Sequence, residues 1–402
     1  MSASKNAAPE PELRVHADPW EVDQQAWNTL LALEPDPSPF MQLAYLRALH
    51  DSGSATPDNG WAPRFVTLWQ GDRLVAACPL YLKAHSWGEY VFDWAWANAY
   101  DQHGLPYYPK GLVAVPFTPV PGARLLARDA TARVALARTL IALAKDWRLS
   151  SMHLLFLQSQ DAQACEQAGM MRRHNVQFHW RNDGWADFDA FLASLQQEKR
   201  KKIRQERRKV AEAGVTFRHA QGTAITEADW DFFYRCYERT YLEHGNAPYL
   251  SRDFFARMAA DMPHHWLMFI AERCGQPIAS SLIGIDEAHR VAYGRYWGAL
   301  ERVDCLHFET CYYQPLVWCI ANGWQRFEGG AQGEHKMARA LLPSATTSAH
   351  WLAHPAFADA VERYLARETD HMQAYMQHLA ARSPLKSDVH NTPKGAPADP
   401  AS

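Results

Sequence analysis

Several kinds of segment are missing from this chain of 402 residues. No run approaches the ~20 apolar residues that a membrane-spanning helix needs, so no transmembrane segment is expected. The N-terminal stretch MSASKNAAPEPELRVHADPW has no apolar core segment, which argues against a secretory signal and predicts a cytoplasmic protein. The phosphate loop GxxxxGKS/T and the metal-binding motif HExxH are also absent.

The cysteines form no pattern that would bind a metal or cross-link a fold. There are seven, an odd number; they are scattered, and none forms a C-x-x-C pair. Neither a zinc site nor a disulfide framework fits such spacing. We therefore expect buried, reduced thiols, no bound metal and no tightly held cofactor.

The chain does contain enough apolar sequence for two cores. Hydrophobic residues make up 48% of it, and 402 residues suffice for two domains at roughly 100–200 residues each. The formal net charge is −3, yet residues 198–214 carry +5, from eight Lys or Arg and three Glu. Basic charge this concentrated favours one localised anionic partner over a protein that coats nucleic acid.

A repeat with an offset of 204 residues runs through the chain. Residues 65–82 and 269–286 both read as a strand, a Gly-containing turn and a second strand. Each hairpin is followed by another apparent strand, at 89–97 and 290–299, then by an amphipathic helix and one further strand. The same order of elements at corresponding places predicts a duplicated α/β unit.

The repeat and the composition of the two ends divide the chain into predicted segments. They are a disordered N-terminus at 1–15, a first domain at 16–185, a basic connecting helix at 186–214, a second domain at 215–350, a C-terminal helix at 351–382 and a disordered tail at 383–402.

The basic block is predicted to be helical. From FDAFLASLQQ onward there is no Gly or Pro before Gly214, which lies where a helix C-cap is expected. Four arginines fall at i, i+4, i+7 and i+8 and share a face: Arg200, Arg204, Arg207 and Arg208. Arginine suits phosphate because its planar fork donates two hydrogen bonds to one anion. The alternative is a solvated helix face between the domains.

Five stretches of the chain together carry a resemblance to a known family: GEYVFDWAWANAY, YYPKGLVAVPFTPVPGARLL, KRKKIRQERRKVAEAGV, GRYWGALERVDCLHFETCYYQPLVWCIANG and RFEGGAQGEHKMARALLP. In these stretches the chain resembles the FemAB-like proteins, predicted N-acyltransferases of the Fem-type group in the GNAT acyltransferase superfamily. The resemblance covers most of residues 38–350. It implies an α/β fold of tandem GNAT-like domains, each a mixed, mostly antiparallel sheet flanked by helices. Fem-type enzymes transfer amino acids from charged tRNA to the amine of a peptidoglycan precursor, whereas ordinary GNAT enzymes use acyl-CoA.

The sequence lowers the odds of the usual GNAT donor without excluding it. In GNAT proteins a Gly-containing turn opens the helix after the fourth strand, so that backbone N–H groups hold pyrophosphate. The corresponding stretch here, ALERVDCLHFET, has no Gly. Acyl-CoA and aminoacyl-tRNA both stay open as co-substrate.

The stretch RFEGGAQGEHKMARALLP holds the acid–base candidates. Amide formation needs a base that takes a proton from the attacking amine, and groups that stabilise the oxyanion and the leaving group. Three residues are candidate catalytic bases: Glu328, Glu334 and His335. Two cations could bind substrate anions: Lys336 and Arg339. The alternative is a polar turn that caps a helix.

Two further stretches carry weaker candidates. Arg295 and Tyr296 lie on the strand that borders the reaction cleft in GNAT folds, so the resemblance implies substrate-binding roles, although aromatic side chains there are more often core. If residues 89–97 form a strand, Glu89 and Asp93 share one face and could line an amine-binding pocket or serve structure alone.

These observations predict N-acyl or aminoacyl transfer from an activated donor to a primary amine in a cleft between the domains. The resemblance implies a cell-wall precursor as acceptor and makes tRNA a candidate partner. An alternative from another class is a non-catalytic GNAT-like pair that binds RNA or another anionic ligand through the basic helix. The oligomeric state is left open.

Overall fold

The structure is a computed structural model that describes residues 11–331 and 333–386. The strands among these residues are β1 (Glu12–His16), β2 (Trp61–Pro63), β3 (Phe65–Gln70), β4 (Arg73–Cys78), β5 (Leu80–Lys83), β6 (Lys110–Val113), β7 (Leu126–Ala127), β8 (Ser151–Leu157), β9 (Met171–Arg181), β10 (Val215–Gln221), β11 (Trp266–Arg273), β12 (Gln276–Asp286), β13 (Val291–Ala299), β14 (Arg326–Glu328) and β15 (Leu342–Leu352).

The helices of the same residues are α1 (Gln24–Leu31), α2 (Leu43–Asp51), α3 (Trp94–Gln102), α4 (Ala130–Asp146), α5 (Ser159–Gln167), α6 (Phe188–Ser194), α7 (Gln197–Glu212), α8 (Glu227–Glu243), α9 (Arg252–Asp261), α10 (Leu306–Phe308), α11 (Gln314–Ala321) and α12 (Pro355–Ala381). A π-helical turn, Glu309–Tyr313, joins α10 to α11. The short 3-10 helix Glu334–Arg339 lies in the loop between β14 and β15.

Both ends of the described chain are ordered, which corrects the predicted disorder of residues 11–15 and 383–386. β1 pairs antiparallel with β3, with Glu12 opposite Trp69. At the other end Leu385 forms a β-bridge with Leu195. Backbone pairing with distant segments holds both ends, and composition does not report such pairing. The remaining terminal residues, 1–10 and 387–402, lie outside the described part of the chain.

The predicted duplication is confirmed by two matching hairpins, β3–β4 and β11–β12. Their turns hold Gly71 and Gly275, and both glycines have positive φ, +59° and +73°. Glycine suits these positions because it lacks the Cβ that makes the left-handed region costly. Each copy then has two parallel neighbouring strands, β6 beside β8 and β13 beside β14.

One sheet of eleven strands spans both copies, in the order β10-β11-β12-β13-β14-β9-β15-β8-β6-β5-β2. A separate four-stranded sheet has the order β1-β3-β4-β7. Pro79 lies between β4 and β5, where the chain of the first copy passes from one sheet to the other. Proline suits this break because it has no N–H for a strand ladder.

The two copies exchange their last strands. β9 follows β8 in the chain but pairs with β14 of the second copy, and β15 follows β14 but pairs with β8 of the first copy. β9 and β15 also pair with each other, from His179–Leu342 to Met171–His350. The sheet is therefore continuous through an approximate two-fold axis between β9 and β15, and each copy completes the other.

The predicted strand at 89–97 is wrong, because α3 begins at Trp94 and the residues before it in this stretch form no strand. Glu89 and Asp93 both turn towards Lys110, whose Nζ donates a hydrogen bond to Glu89 Oε2 at 2.8 Å and another to Asp93 Oδ2. All three side chains are buried. The two carboxylates are therefore the counter-charges of an internal lysine, and they do not line an open amine pocket.

The basic block forms a helix, α7, that is shorter than predicted. The chain leaves the helical conformation between α6 and α7, where Leu195 forms the bridge to the C-terminal segment. Ile203 and Val210 bury the apolar stripe of α7 against the protein, each 1% exposed. Gly214 follows α7 with a φ of +73°, as expected for a helix C-cap.

Three predicted properties of the whole chain can be compared with the described residues. No helix among residues 11–331 and 333–386 is long and apolar enough to cross a membrane. The same residues contain no group of three or more His, Cys, Asp or Glu arranged to hold a metal ion. All seven cysteines are free thiols, and four of them are buried, whereas Cys274 is exposed in the β11–β12 turn.

Candidate active site

A cleft opens where β13 and β14 part. The two strands are parallel and pair only from Val291–Arg326 to Tyr293–Glu328. Just beyond, the register of β13 against β12 skips Arg295, which marks a β-bulge. The cavity between the strands has a volume of about 110 Å³. It is lined by Ser281, Ile283, Gly294, Arg295, Tyr296, Trp297, His307, Cys311, Tyr312, Phe327 and Gly329.

Glu328 is the last residue of β14 and stands at the point where the strands part. Its register partners are Tyr293 on β13 and His179 on β9, so the three side chains lie side by side on one face of the sheet. The residues before and after it, Phe327 and Gly329, both line the cavity. Glu328 itself is only 4% exposed.

The surroundings of Glu328 bring the pKa of its carboxyl group close to neutral pH. Burial raises the pKa of Glu328 to about 7, and the Arg326 guanidinium, whose Nε lies 3.1 Å from Oε1, opposes that rise. Oε2 is buried and has no hydrogen-bond partner among the described residues. A carboxyl with this pKa and an open acceptor oxygen can take a proton from a substrate.

His179 lies beside the open oxygen without neutralising it. Its Nε2 is 3.9 Å from Glu328 Oε2 and 3.2 Å from the acceptor Oε1 of Gln177. Burial lowers the pKa of His179 to about 3, so the ring is uncharged at neutral pH. Gln177 in turn donates from Nε2 to Pro119 O at 2.9 Å. The exchanged strand β9 and a loop of the first copy thus support the carboxyl.

Arg295 and Tyr296 lie in the cleft, and both line its cavity. Arg295 Nη2 donates to Phe117 O at 3.0 Å and to Tyr296 Oη at 3.1 Å. The guanidinium also lies 5.2 Å from the ring centroid of Phe40. Phe117 and Phe40 belong to the first copy, so the other half of the duplicated chain closes one side of the cleft.

Glu334 and His335, the other two candidate bases, do not line this cavity. Both are exposed. Glu334 Oε1 accepts a hydrogen bond from Tyr375 Oη of α12 at 2.8 Å. The ring of His335 lies 6.3 Å from that of Tyr312. None of the three candidates lines the cavity itself; Glu328 is the one that is buried, between Phe327 and Gly329, which do line it.

Lys336 and Arg339 are buried and already have protein partners. Lys336 Nζ donates to the carbonyl oxygens of Gly330 and Ala331 at 3.1 and 3.0 Å, and burial lowers its pKa to about 8. Arg339 Nη2 donates to Glu206 of α7 at 2.9 Å. These contacts fold the loop after β14 and dock it on α7. Neither cation can reach a substrate unless the loop opens.

The arginines of the basic helix divide into one inward and three outward side chains. Arg207 donates from Nε to Glu309 Oε1 at 3.1 Å and so ties α7 to the π-helical turn. Arg200, Arg204 and Arg208 line an open groove along α7. Among the described residues, Arg204 lies 3.5 Å from Asp189, and Arg208 lies close to Glu212. Both of these acidic side chains are exposed.

The first copy has a different arrangement at the corresponding place. The two-fold relation of the sheet puts His153 where the second copy has Glu328, and His350 where it has His179. The Nδ1 atoms of His153 and His350 are 2.8 Å apart, and Tyr107 Oη lies 3.1 Å from His153 Nε2. Residues 114–120, which follow β6, are all buried. Of the two copies, therefore, the second is the one that has both a carboxylate, Glu328, and a cleft beside it.

Sequence reasoning missed the residues that support Glu328. His179 and Gln177 lie more than a hundred residues before it and reach it only because β9 is exchanged between the copies. The one local signal is the alternation of apolar and polar residues over 176–180, which indicates a strand with a polar face. Nothing in that stretch indicates which strand it pairs with.

Comparison with a family model gives one extensive match. The model is FemAB-like, described as peptidoglycan biosynthesis/recognition, and it matches residues 19–387. No curated protein sequence matches the chain.

Solved structures share the fold at low sequence identity. The C-terminal domain of a putative lysylphosphatidylglycerol synthetase from Agrobacterium fabrum has a TM-score of 0.53 at 10% identity and covers 87% of this chain and 97% of its own. FemX has a TM-score of 0.53 at 10% identity, covering 87% and 100%. L-PGS from Bacillus licheniformis has a TM-score of 0.51 at 10% identity, covering 85% and 97%. At this identity the likeness concerns the fold.

Proposed function

The chain belongs to the FemAB-like family, and from that premise we propose that it is a transferase that moves an acyl or aminoacyl group from an activated donor to a primary amine. One observation carries the proposal: burial raises the pKa of Glu328 to about 7 at the point where β13 and β14 part. An amine is protonated at neutral pH and attacks only after losing a proton, and such a carboxylate can accept it.

The proposed reaction is a direct transfer. Glu328 accepts a proton from the ammonium group, and the freed amine attacks the carbonyl carbon of the donor to form a tetrahedral oxyanion. The bond to the leaving oxygen or sulfur then breaks, and the second proton of the nitrogen passes to that leaving group. The β-bulge at Arg295 takes a residue out of the strand ladder beside the cavity, which favours backbone donors for the oxyanion.

The cysteine of the cleft supports direct attack over a covalent intermediate. Cys311 lines the cavity. Burial raises the pKa of its thiol well above the ordinary value. Because the thiolate is the nucleophilic form, this cysteine is poorly suited to carry an acyl group.

We take aminoacyl-tRNA as the leading donor. Residues 299–310 contain no glycine, and Cys305 instead occupies the left-handed region at the start of α10, with φ +68°. That arrangement lacks the glycine turn that would hold a CoA pyrophosphate. Arg200, Arg204 and Arg208 offer an outward basic face that suits a nucleic-acid backbone. Acyl-CoA is the other donor to be tested.

We take the amine of a cell-wall precursor as the leading acceptor. Its support is the description of the family, peptidoglycan biosynthesis/recognition.

A thermal-shift series on the purified chain tests the donor. Uncharged tRNA, CoA and acetyl-CoA are added in turn, because a ligand that binds only the folded state raises apparent stability by RT ln(1 + L/Kd), with L the ligand concentration. We expect a shift with tRNA and none with the two CoA compounds. A shift with acetyl-CoA alone would make acyl-CoA the donor and remove tRNA from the proposal.

Assays of transfer and of tRNA binding, made on the same proteins, separate the transferase from an RNA-binding module without catalysis. Neutralising Arg204 and Arg208 is expected to weaken tRNA binding in a salt-dependent way under either function. Glu328→Gln is expected to abolish transfer and to leave that binding intact. A wild-type chain that binds tRNA but transfers nothing to any amine would be the binding module.

A further inference from the structure

A half-buried cation in the cleft, Arg295, lacks an anionic partner. Arg295 forms no ion pair with a carboxylate of residues 11–331 or 333–386, and its Nε is buried without a hydrogen-bond partner there. Both of its hydrogen bonds come from Nη2, and both acceptors, Phe117 O and Tyr296 Oη, are uncharged. Because arginine has five N–H donors, most of the donor capacity of this guanidinium is unused.

The groups packed around Arg295 are aromatic rings. The guanidinium lies 5.2 Å from the ring centroid of Phe40 and 5.0 Å from that of Tyr296. The absence of a side chain at Gly284 permits this packing, since a Cβ there would lie 2.6 Å from the Phe40 ring. Cation–π contacts offset only part of the cost of burying a charge. A ligand that carries a negative charge can therefore supply the counter-charge that Arg295 lacks.

A fully buried arginine elsewhere in the chain shows that burial alone does not make a site. Arg124 is 1% exposed and likewise donates to backbone carbonyls, those of Ala123 and Val120. It does not line the cleft, whereas Arg295 lines the cavity of about 110 Å³. At Arg295, unlike at Arg124, unused N–H donors lie beside a cavity.

We propose that Arg295 binds a carboxylate of the acceptor, so that the acceptor is an amino acid or peptide rather than a simple amine. The inference rests on the proposed function, because it takes Glu328 as the base for the amine of the same molecule. One edge of a guanidinium matches a carboxylate with two parallel hydrogen bonds. Arg295 follows Tyr293, the register partner of Glu328, by two residues along β13, so the two groups are neighbours on adjacent strands and can serve one substrate.

The size of the cavity favours a carboxylate over the phosphates of a donor. An engineered cavity of about 150 Å³ binds one benzene molecule, so a cavity of about 110 Å³ suits a group somewhat smaller than that ring. A carboxylate and the carbon that bears it fit this space. A diphosphate with its nucleoside would have to open the cleft.

Three related amines test the inference by binding alone, with the full chain and no donor. L-Lysine, L-lysinamide and 1,5-diaminopentane share an alkylamine and differ in the carboxylate. Calorimetric titration is expected to show that wild type binds lysine at least about tenfold more tightly than the other two, as charge-assisted hydrogen bonds predict. Arg295→Lys, which keeps the charge but loses the fork, and Arg295→Gln are both expected to lose this preference.

The control is a second arginine that donates to backbone carbonyls but lies outside the cavity. Arg124→Lys is expected to keep the preference, because this arginine is also desolvated and lies outside the cavity. If wild type binds lysine and lysinamide equally, the inference fails even when no Arg295 variant folds. If pyrophosphate, and not lysine, binds in an Arg295-dependent way, the anion belongs to the donor and the acceptor carboxylate is refuted.

Failure of the inference can be told from failure of the proposed function. A chain that transfers equally well to lysine and to diaminopentane, unchanged by Arg295→Gln, keeps the transferase and loses the carboxylate site. A chain that prefers lysine in binding but transfers nothing keeps the carboxylate site and loses the transferase.

Discussion

Glu328 is the residue on which the proposed chemistry depends, because it must lose its own proton before it can accept one. Burial raises its pKa to about 7, while Arg326 opposes the rise. The ionised fraction therefore changes most steeply around neutral pH. The neutral ring of His179, at 3.9 Å, leaves the second oxygen open over the same pH range.

The pH profile of transfer is the first consequence. We expect kcat/KM to rise with pH through about 7 and then to level off, because only the carboxylate form is a base. The measurement is kcat/KM with a fixed donor and acceptor on both sides of neutrality. A profile that is flat across this range would mean that a group other than Glu328 accepts the proton.

The same burial should make Glu328 destabilising at high pH. Its folded-state pKa lies above the ordinary value of 4.5, so the folded chain holds the proton more tightly than the unfolded chain does. The free energy of unfolding therefore falls as pH rises from about 4.5 to about 7. We expect Glu328→Gln to be roughly 1–3 kcal/mol more stable than wild type at about pH 8 and nearly equal at about pH 5.

Urea unfolding of both proteins at the two pH values measures this difference. A variant that is less stable than wild type at the higher pH would show that the carboxylate is held by a strong partner. That result would argue against a base with an open oxygen.

The candidate site could be predicted from the sequence only in part at this scale. The stretch 326–343 indicates an acid–base site, but it does not rank Glu328 above Glu334 or His335. The ranking comes from burial, since Glu328 is 4% exposed and the other two face solvent. Burial here depends on β9, which is distant in the chain.

Among the elements, α7 combines a structural face with a face open to solvent. Arg207 pairs with the buried Glu309, and Glu206 accepts hydrogen bonds from Arg339 and from the Tyr313 hydroxyl. These contacts attach α7 to the π-helical turn and to the loop after β14. The outward arginines are thus fixed to the same segments that border the cleft.

Neutralising the outward arginines should change the salt dependence of tRNA binding. The variant Arg200→Gln with Arg204→Gln and Arg208→Gln is expected to bind more weakly and to lower the slope of log K against log salt by about 1 for each phosphate that is no longer neutralised. Filter binding at several salt concentrations measures the slope. Arg138→Gln, an exposed arginine on α4, is the matched control and should leave it unchanged. Equal slopes for the triple variant and wild type would exclude α7 as the element that binds RNA.

Local sequence predicts α7 better than α3. The spacing of Ile203 and Val210 and the position of Gly214 are helix signals that depend on near neighbours alone. Residues 89–97 alternate in a way that favours a strand, yet the buried Lys110 draws Glu89 and Asp93 to one point. Such a long-range ion pair overrides local propensity.

At the scale of the whole molecule, strand exchange makes the two copies one folding unit. β8 has β15 as a neighbour, and β14 has β9, so each copy contains a strand that the other needs. The duplication was predictable, because the offset of 204 residues is visible in the sequence. The exchange was not, since side-chain alternation indicates a strand without identifying its partner.

Cutting the chain between the predicted domains tests this unity. Fragments 1–185 and 186–402, expressed separately, are expected to be unfolded or aggregated, because each leaves a central strand of the sheet unpaired. Circular dichroism and gel filtration of each fragment are the measurements. A soluble monomer with a cooperative unfolding transition from either fragment would show that the copies are independent domains.

The most direct test of the proposed base is the rate of transfer by Glu328→Gln, compared with wild type and with Glu334→Gln as the exposed control. The donor is the one found in the thermal-shift series, and its shift should be the same in all three proteins. We expect kcat to fall by at least about 100-fold in Glu328→Gln and to stay near wild type in Glu334→Gln. Transfer by Glu328→Gln at a rate close to wild type, with donor binding intact, would contradict the assignment of Glu328 as the base.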